Sequence, residues 1–311
     1  MDTVVTTGSN LHRPSPPPLN TFLRHRPRTT EYNLSKDFDR VLLTSHFCCS
    51  RVSSLKRRCV KDENATQSHF LKDFSVLQSD ILCDIGSIWS SLGFYVFSIH
   101  IPLSFGGLSA SVKLLHQPVL DPQTEVILIL AIQTLELCIV VLLLKYPGKP
   151  QYDLQDFFHA KKSSKQRSWL LASFLGFGFL LSSVFITSYF ADKLVGPKDV
   201  NNPFLKEILS SGPTSIAACT LVYCIITPLL EEIVYRGFLI TSLVSKMKWQ
   251  RAVVISSIVF SAVHFSGENF LQYLVIGILL GCSYCWTGNL SSSIALHSLY
   301  NALILYLTFI S

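Results

Sequence analysis

The chain has 311 residues, 49% of them hydrophobic and 15% charged, with a formal net charge of +6 and a mean hydropathy of +0.39. Soluble domains carry about 25% charged residues, so the composition excludes an ordinary soluble domain and reads as a polytopic membrane protein with a polar N-terminal tail. The positive charge is concentrated in that tail and one loop, with no basic residues interleaved with aromatics on an exposed element, which excludes nucleic acid as a partner.

Residues 1–60 contain ten basic residues, from Arg13 to Arg58, against four acids, Asp2, Glu31, Asp37 and Asp39. Ser and Thr run throughout, and no early apolar stretch marks a secretory signal. The pattern fits an organellar transit peptide. The run Pro14 to Pro18, broken only by Ser15, precludes an early amphipathic helix. That favours a chloroplast over a mitochondrial address. The alternative is a disordered cytosolic tail on an endoplasmic reticulum protein.

A bilayer crossing needs about 20 apolar residues. Seven spans are predicted, at 86–109, 126–145, 169–191, 214–245, 251–265, 269–287 and 290–310, with room for an eighth. The expected fold class is all-α, a bundle of membrane helices. The fourth span is long and the fifth short for a full crossing. Pro228 should kink the fourth and free a carbonyl near position 224. The basic loops at 145–167 and 246–251 share one face with the N-terminus, the stromal or cytosolic side. Residues 152–167 read as an interfacial amphipathic helix. The nine cysteines show no framework spacing and read as small buried hydrophobes, Cys282 and Cys285 included.

Within the fourth span stand Glu231, Glu232 and Arg236. A charge at the bilayer centre costs roughly 2.5–3.5 kcal/mol or more, so an ionisable cluster there is a functional-site hypothesis. Glu232 and Arg236 are i,i+4 neighbours on one helical face, while Glu231 points about 100° away. The pair reads as structural, and Glu231 as the base left to work. His264 closes the fifth span. His297 and Asn301 are also i,i+4, so one face presents two donors for an oxyanion. These groups suffice for water-mediated hydrolysis of an amide. Each also has a plainer reading: a buried ion-pair network, a packed histidine, a polar clasp between helices.

Two other chemistries draw on the same residues. Glu231, His264 and His297 would form a two-His, one-carboxylate zinc set, though no H-E-x-x-H motif is present. Ser261 or Ser298 would be a nucleophile beside a histidine, though neither sits in a nucleophile elbow. The expectation is a site with no cofactor, with zinc as the alternative.

Three ordered motifs carry a resemblance: Glu231-Glu232-Ile233-Val234-Tyr235-Arg236 followed by Gly237, then Phe260 to His264, then His297 to Asn301. Together they resemble the CPBP family, also called the Abi or type II CAAX prenyl endopeptidase family, and the tail suits a plant plastid-type member. The resemblance covers about residues 210–311. It implies an intramembrane glutamate endopeptidase in which Glu231 and His264 activate water, His297 and Asn301 hold the oxyanion, and Glu232 and Arg236 support the site. It divides the chain into a transit segment and tail (1–75), variable membrane helices (76–200) and a catalytic membrane domain (201–311). The implied partners are membrane lipid and a peptide or membrane-protein substrate, prenylated or not. The expected place is a chloroplast membrane, or the endoplasmic reticulum if the tail is cytosolic. The rival function is a non-proteolytic scaffold that keeps the fold.

Overall fold

Lipid offers no hydrogen bonds, so apolar spans must satisfy their backbone internally as helices. The computed structural model shows this arrangement. It describes residues 49–51, 74–77, 81–116, 120–145, 152, 154–158, 167–196 and 203–310. Most of the predicted tail therefore lies outside the described residues, as do 159–166 of the expected interfacial helix. What is seen of that helix is one short turn, Leu154–Phe158.

In chain order the elements are β1 (Cys49–Arg51), β2 (Ile81–Cys83), α1 (Ile85–Leu114), α2 (Pro122–Lys145), α3 (Leu154–Phe158), α4 (Trp169–Val195), α5 (Pro203–Ser210), α6 (Pro213–Val244), α7 (Trp249–Val263), α8 (Phe270–Thr287) and α9 (Leu290–Ile310). The two strands pair antiparallel over three residues; the rest of the regular structure is helical. Among the described residues, six helices are long and apolar enough to cross a membrane by length and composition. The seven expected spans thus become six of full length and one shorter helix. At 15 residues, α7 extends only about 22 Å, against a hydrocarbon core of about 30 Å.

Two of the long helices are not uniform. α1 widens into π-helical turns at Val96–His100 and Pro102–Gly106. α6 does so at Val222–Ile226 and Ile233–Ile240. In each, a proline follows a π turn, because it has no N–H to donate and its ring crowds the preceding turn. This locates a freed carbonyl near position 224, as expected. In the π turn the N–H of Thr227 reaches the carbonyl of Val222. The next bond in that register would run from residue 228 to Tyr223, and Pro228 cannot make it. The carbonyl of Tyr223 is therefore left without that backbone donor.

The main core joins α1, α2, α6 and α7 through Tyr95, Val96, Val140, Tyr235, Phe238, Leu239 and Phe260. A second cluster ties α4 to α8 and α9 through Leu180, Leu280 and Leu296. The outer face of α4 leaves Phe174, Phe179 and Phe185 exposed, as a helix facing lipid would. Cys138, Cys219, Cys224, Cys282 and Cys285 are free thiols.

Candidate active site

The acid pair divides as its helical spacing requires. Glu232 is fully buried, and its Oε1 accepts from Arg236 Nη1 at 2.8 Å and from His297 Nδ1 at 3.0 Å. Arg236 is 1% exposed. Its Nη2 donates to the Gly277 carbonyl at 3.2 Å, and its guanidinium lies 4.7 Å from the Phe260 ring centre. Gly277 allows the contact, since a Cβ there would come within 3.0–3.2 Å of Ser257 on α7. The planar fork of arginine thus fixes both the carboxylate and the close packing of α7 against α8. Gly237 has a similar steric role: a Cβ would meet the Phe157 ring at 2.9 Å.

Glu231 faces the other way, with its side chain 15% exposed. Its Oε1 lies 3.9 Å from His264 Nε2 and its Oε2 lies 3.8 Å from His297 Nε2. Both separations exceed a direct hydrogen bond, and Oε2 is buried without a partner among the described residues. One carboxylate is therefore flanked by two imidazoles and bonded to neither.

The tautomers follow from the partners. His264 Nδ1 lies 2.7 Å from the Phe260 carbonyl, which can only accept, so Nδ1 carries a hydrogen. His297 Nδ1 donates to Glu232, which Arg236 keeps as an acceptor. In the neutral form each histidine therefore turns the lone pair of Nε2 toward Glu231. His264 caps α7 and is held by ring contacts with Tyr273 at 4.2 Å and Phe260 at 4.5 Å. The next residue, Phe265, takes a left-handed φ of 50°, which ends the helix sharply and leaves the imidazole at the terminus.

Asn301 Nδ2 donates to the Tyr223 carbonyl at 2.8 Å, the acceptor that Pro228 orphans. One amide hydrogen is thus committed to α6 and the second is free of that bond. Five of the six expected residues converge, Glu231, Glu232, Arg236, His264 and His297, while the contact seen for Asn301 is the one to the Tyr223 carbonyl. The serines do not join them. Ser261 Oγ donates to the Phe270 carbonyl at 2.6 Å, and no bond pairs Ser261 or Ser298 with a histidine among the described residues. Nor does any group of three His, Cys, Asp or Glu among them have an arrangement suited to a metal ion.

Three further polar residues were missed by sequence reasoning. Glu136, in the middle of α2, is fully buried. Its Oε1 accepts from Tyr95 Oη at 2.7 Å and from His100 Nδ1 at 2.7 Å. The signal existed: a lone acid in an apolar span is the same anomaly that marks Glu231.

Residues 213–303 match the family model for Type II CAAX prenyl endopeptidase Rce1-like, a segment containing all six site residues. The chain is similar to a Staphylococcus aureus (strain USA300) protein described as membrane-embedded CAAX protease MroQ, at 26% identity over 42% of this chain and 54% of that protein. It is also similar to the putative membrane peptidase YdiL of Bacillus subtilis (strain 168), at 26% identity over 54% of this chain and 66% of that protein. The chain thus spans between about half and two thirds of the length of these relatives. No solved structure matches it. All three motifs lie inside the matching segment, so the likeness to the type II CAAX prenyl endopeptidase Rce1-like model is carried by residues 213–303.

Proposed function

We propose that this protein is an intramembrane endopeptidase that hydrolyses peptide bonds of membrane-associated substrates with a water activated by Glu231 and His264. The supporting observation is the Glu231 carboxylate set 3.8–3.9 Å from two inward-turned Nε2 atoms. That spacing suits an oxygen shared between carboxylate and imidazole. In the attack, Glu231 takes a proton from water as the oxygen bonds to the scissile carbonyl carbon. The same proton passes to the leaving amine when the C–N bond breaks.

The developing oxyanion needs donors. Asn301 offers its second amide hydrogen. His297 donates from Nε2 only when doubly protonated, because Nδ1 already donates to Glu232. The resulting imidazolium would lie between two carboxylates, and Glu232 would hold it in place. Glu232 and Arg236 thereby support the oxyanion site as well as the fold.

The reading needs no cofactor, so prolonged chelation of the purified protein should leave turnover intact. Loss on chelation with recovery on zinc would favour the Glu231, His264 and His297 zinc set. The transit-like tail, with its basic residues and proline run, supports a chloroplast membrane over the endoplasmic reticulum. A reporter fused to residues 1–75 decides between them, and delivery to the reticulum alone would reject the plastid reading. Membrane peptides or proteins are the substrate class. The tail weighs against prenylated substrates, because those are processed at the reticulum.

The decisive test is Glu231→Gln in detergent-solubilised protein given a peptide library. A scaffold would keep its function with this near-isosteric change, whereas the peptidase would lose cleavage. Cleavage at the wild-type rate would sink the reading. The same variant, used as a trap, would accumulate the natural substrate.

A further inference from the structure

We propose that Tyr273, which lies outside all three motifs, is a positioning residue for His264: its ring holds the imidazole in the orientation that turns Nε2 toward Glu231. The inference rests on the peptidase reading only for its kinetic arm.

His264 needs more than its own hydrogen bond to be oriented. The contact of Nδ1 with the Phe260 carbonyl, at 2.7 Å, is made four residues back along the same helix. One bond fixes a point on the ring and leaves the ring free to swing about it. The side chain is 25% exposed, so packing does not enclose it on every side. Nε2 stands 3.9 Å from Glu231 Oε1, a spacing that suits a shared water and that any swing of the ring would spoil. A second constraint is therefore required, and it comes from across the α7–α8 turn.

The Tyr273 ring lies stacked on the imidazole, with centres 4.2 Å apart and planes 28° apart. Phe260 meets the same imidazole at 4.5 Å and 59°, and meets Tyr273 edge-on at 6.5 Å. The imidazole thus has one ring partner from α7 and one from α8, in the stacked and edge-on geometries that aromatic rings favour. A stack is made by the face of the ring and not by the hydroxyl, so phenylalanine can make it as well.

Tyr273 is itself braced. Its N–H closes the first turn of α8 on the Asn269 carbonyl at 2.9 Å. Ser261 Oγ donates to the Phe270 carbonyl, which ties α7 to the start of α8. Gln272 Nε2 donates to Tyr300 Oη at 2.8 Å, which ties the same turn to α9 between His297 and Asn301. Between these braces Phe265 holds its φ of 50°. For a bulky residue that conformation is strained, and it persists only where the surrounding structure over-determines it. The strain lets the chain double back at His264, so that Tyr273 returns over the imidazole.

Two substitutions in the full chain in detergent separate positioning from packing. Tyr273→Leu keeps an apolar side chain and loses the flat ring; Tyr273→Phe keeps the ring. Tyr273→Met, more pliable in a core, replaces the leucine variant should that one not fold. The probe is the peptide that wild type cleaves fastest in the library. Tyr273→Leu should lower kcat by about 10- to 100-fold with KM within about twofold. Tyr273→Phe should stay close to wild type. A merely structural role predicts a lower melting temperature with the kcat of the folded protein unchanged, and that result would overturn the proposal. So would a phenylalanine variant as impaired as the leucine one, because the stack survives in it.

A second measurement needs no turnover. Nitrogen-15 spectra of the histidine rings are recorded at alkaline pH, where a histidine is neutral, with His264 assigned by its loss in His264→Gln. Wild type and Tyr273→Phe should show His264 as one tautomer, with the hydrogen on Nδ1. Tyr273→Leu should show both tautomers in exchange, since a ring free to swing breaks its bond to the Phe260 carbonyl. A single Nδ1–H tautomer in the leucine variant would reject the clamp. Mixed tautomers there, in a protein whose wild type cleaves nothing, would uphold the inference and defeat the peptidase reading instead.

Discussion

Two fully buried carboxylates in this molecule have nearly the same hydrogen-bond count and different partners. Glu232 accepts from an arginine and a histidine; Glu136 accepts from a tyrosine and a histidine. Each uses Oε1 for both bonds and leaves Oε2 without a partner among the described residues. The difference is the permanence of the countercharge. Arg236 is always charged, so Glu232 is a fixed anchor. An imidazole carries a charge only when doubly protonated and a phenol carries none, so neither donor to Glu136 is a permanent countercharge. Glu232 ties α6 to α9, and Glu136 ties α2 to α1.

The contrast can be broken in order of expected effect. Glu231→Gln should lower turnover by about 10²- to 10⁴-fold while the thermal unfolding of the solubilised protein stays near wild type. Arg236→Met should leave Glu232 buried without a countercharge and destabilise by about 3–5 kcal/mol, visible as a large drop in melting temperature. Arg236→Lys should recover only part of that loss, since a single ammonium cannot bond Glu232, reach the Gly277 carbonyl and cover Phe260 together. Tyr95→Phe, by comparison, removes one neutral donor from Glu136 and should cost about 1–3 kcal/mol. If it destabilises as much as Arg236→Met, the distinction between fixed and variable countercharge fails.

Asn301→Ala should cost about 1–3 kcal/mol by orphaning the Tyr223 carbonyl, and should also reduce turnover. Adding Pro228→Ala supplies a backbone N–H on α6, which should recover the stability and not the turnover. Recovery of both would remove Asn301 from the oxyanion role. A loss of similar size, through packing alone, is expected from Gly237→Ala. Its new methyl would press on Phe157 and cost about 1–3 kcal/mol, relieved by Phe157→Leu in the same chain.

The spacing of charges in apolar text shows most of this site. The i,i+4 relation of Glu232 and Arg236 anticipates their 2.8 Å bond, and the opposed direction of Glu231 anticipates its freedom from Arg236. The length of the fifth apolar run anticipates a helix too short to span. The π turns do not show, because a widened register leaves apolar composition unchanged. Glu136 and His100 were passed over for another reason. Their helices lie outside the motif-bearing segment, and a single acid has no i,i+4 partner to draw notice. Their pairing joins two helices 36 residues apart in sequence, a relation that no local pattern encodes.

The bond from Asn301 to the Tyr223 carbonyl also bears on how the protein is assembled. A chain is made from its N-terminus, so α6 is synthesised 78 residues before the amide that completes it. Until α9 arrives, Pro228 leaves α6 with an unmet acceptor in a medium that supplies no donors. When α9 docks, the Tyr223 carbonyl takes Asn301 and the Glu232 carboxylate takes His297, so two polar contacts hold its depth and rotation against α6. The acceptor that Asn301 meets in the folded chain thus stays open until α9 has been made.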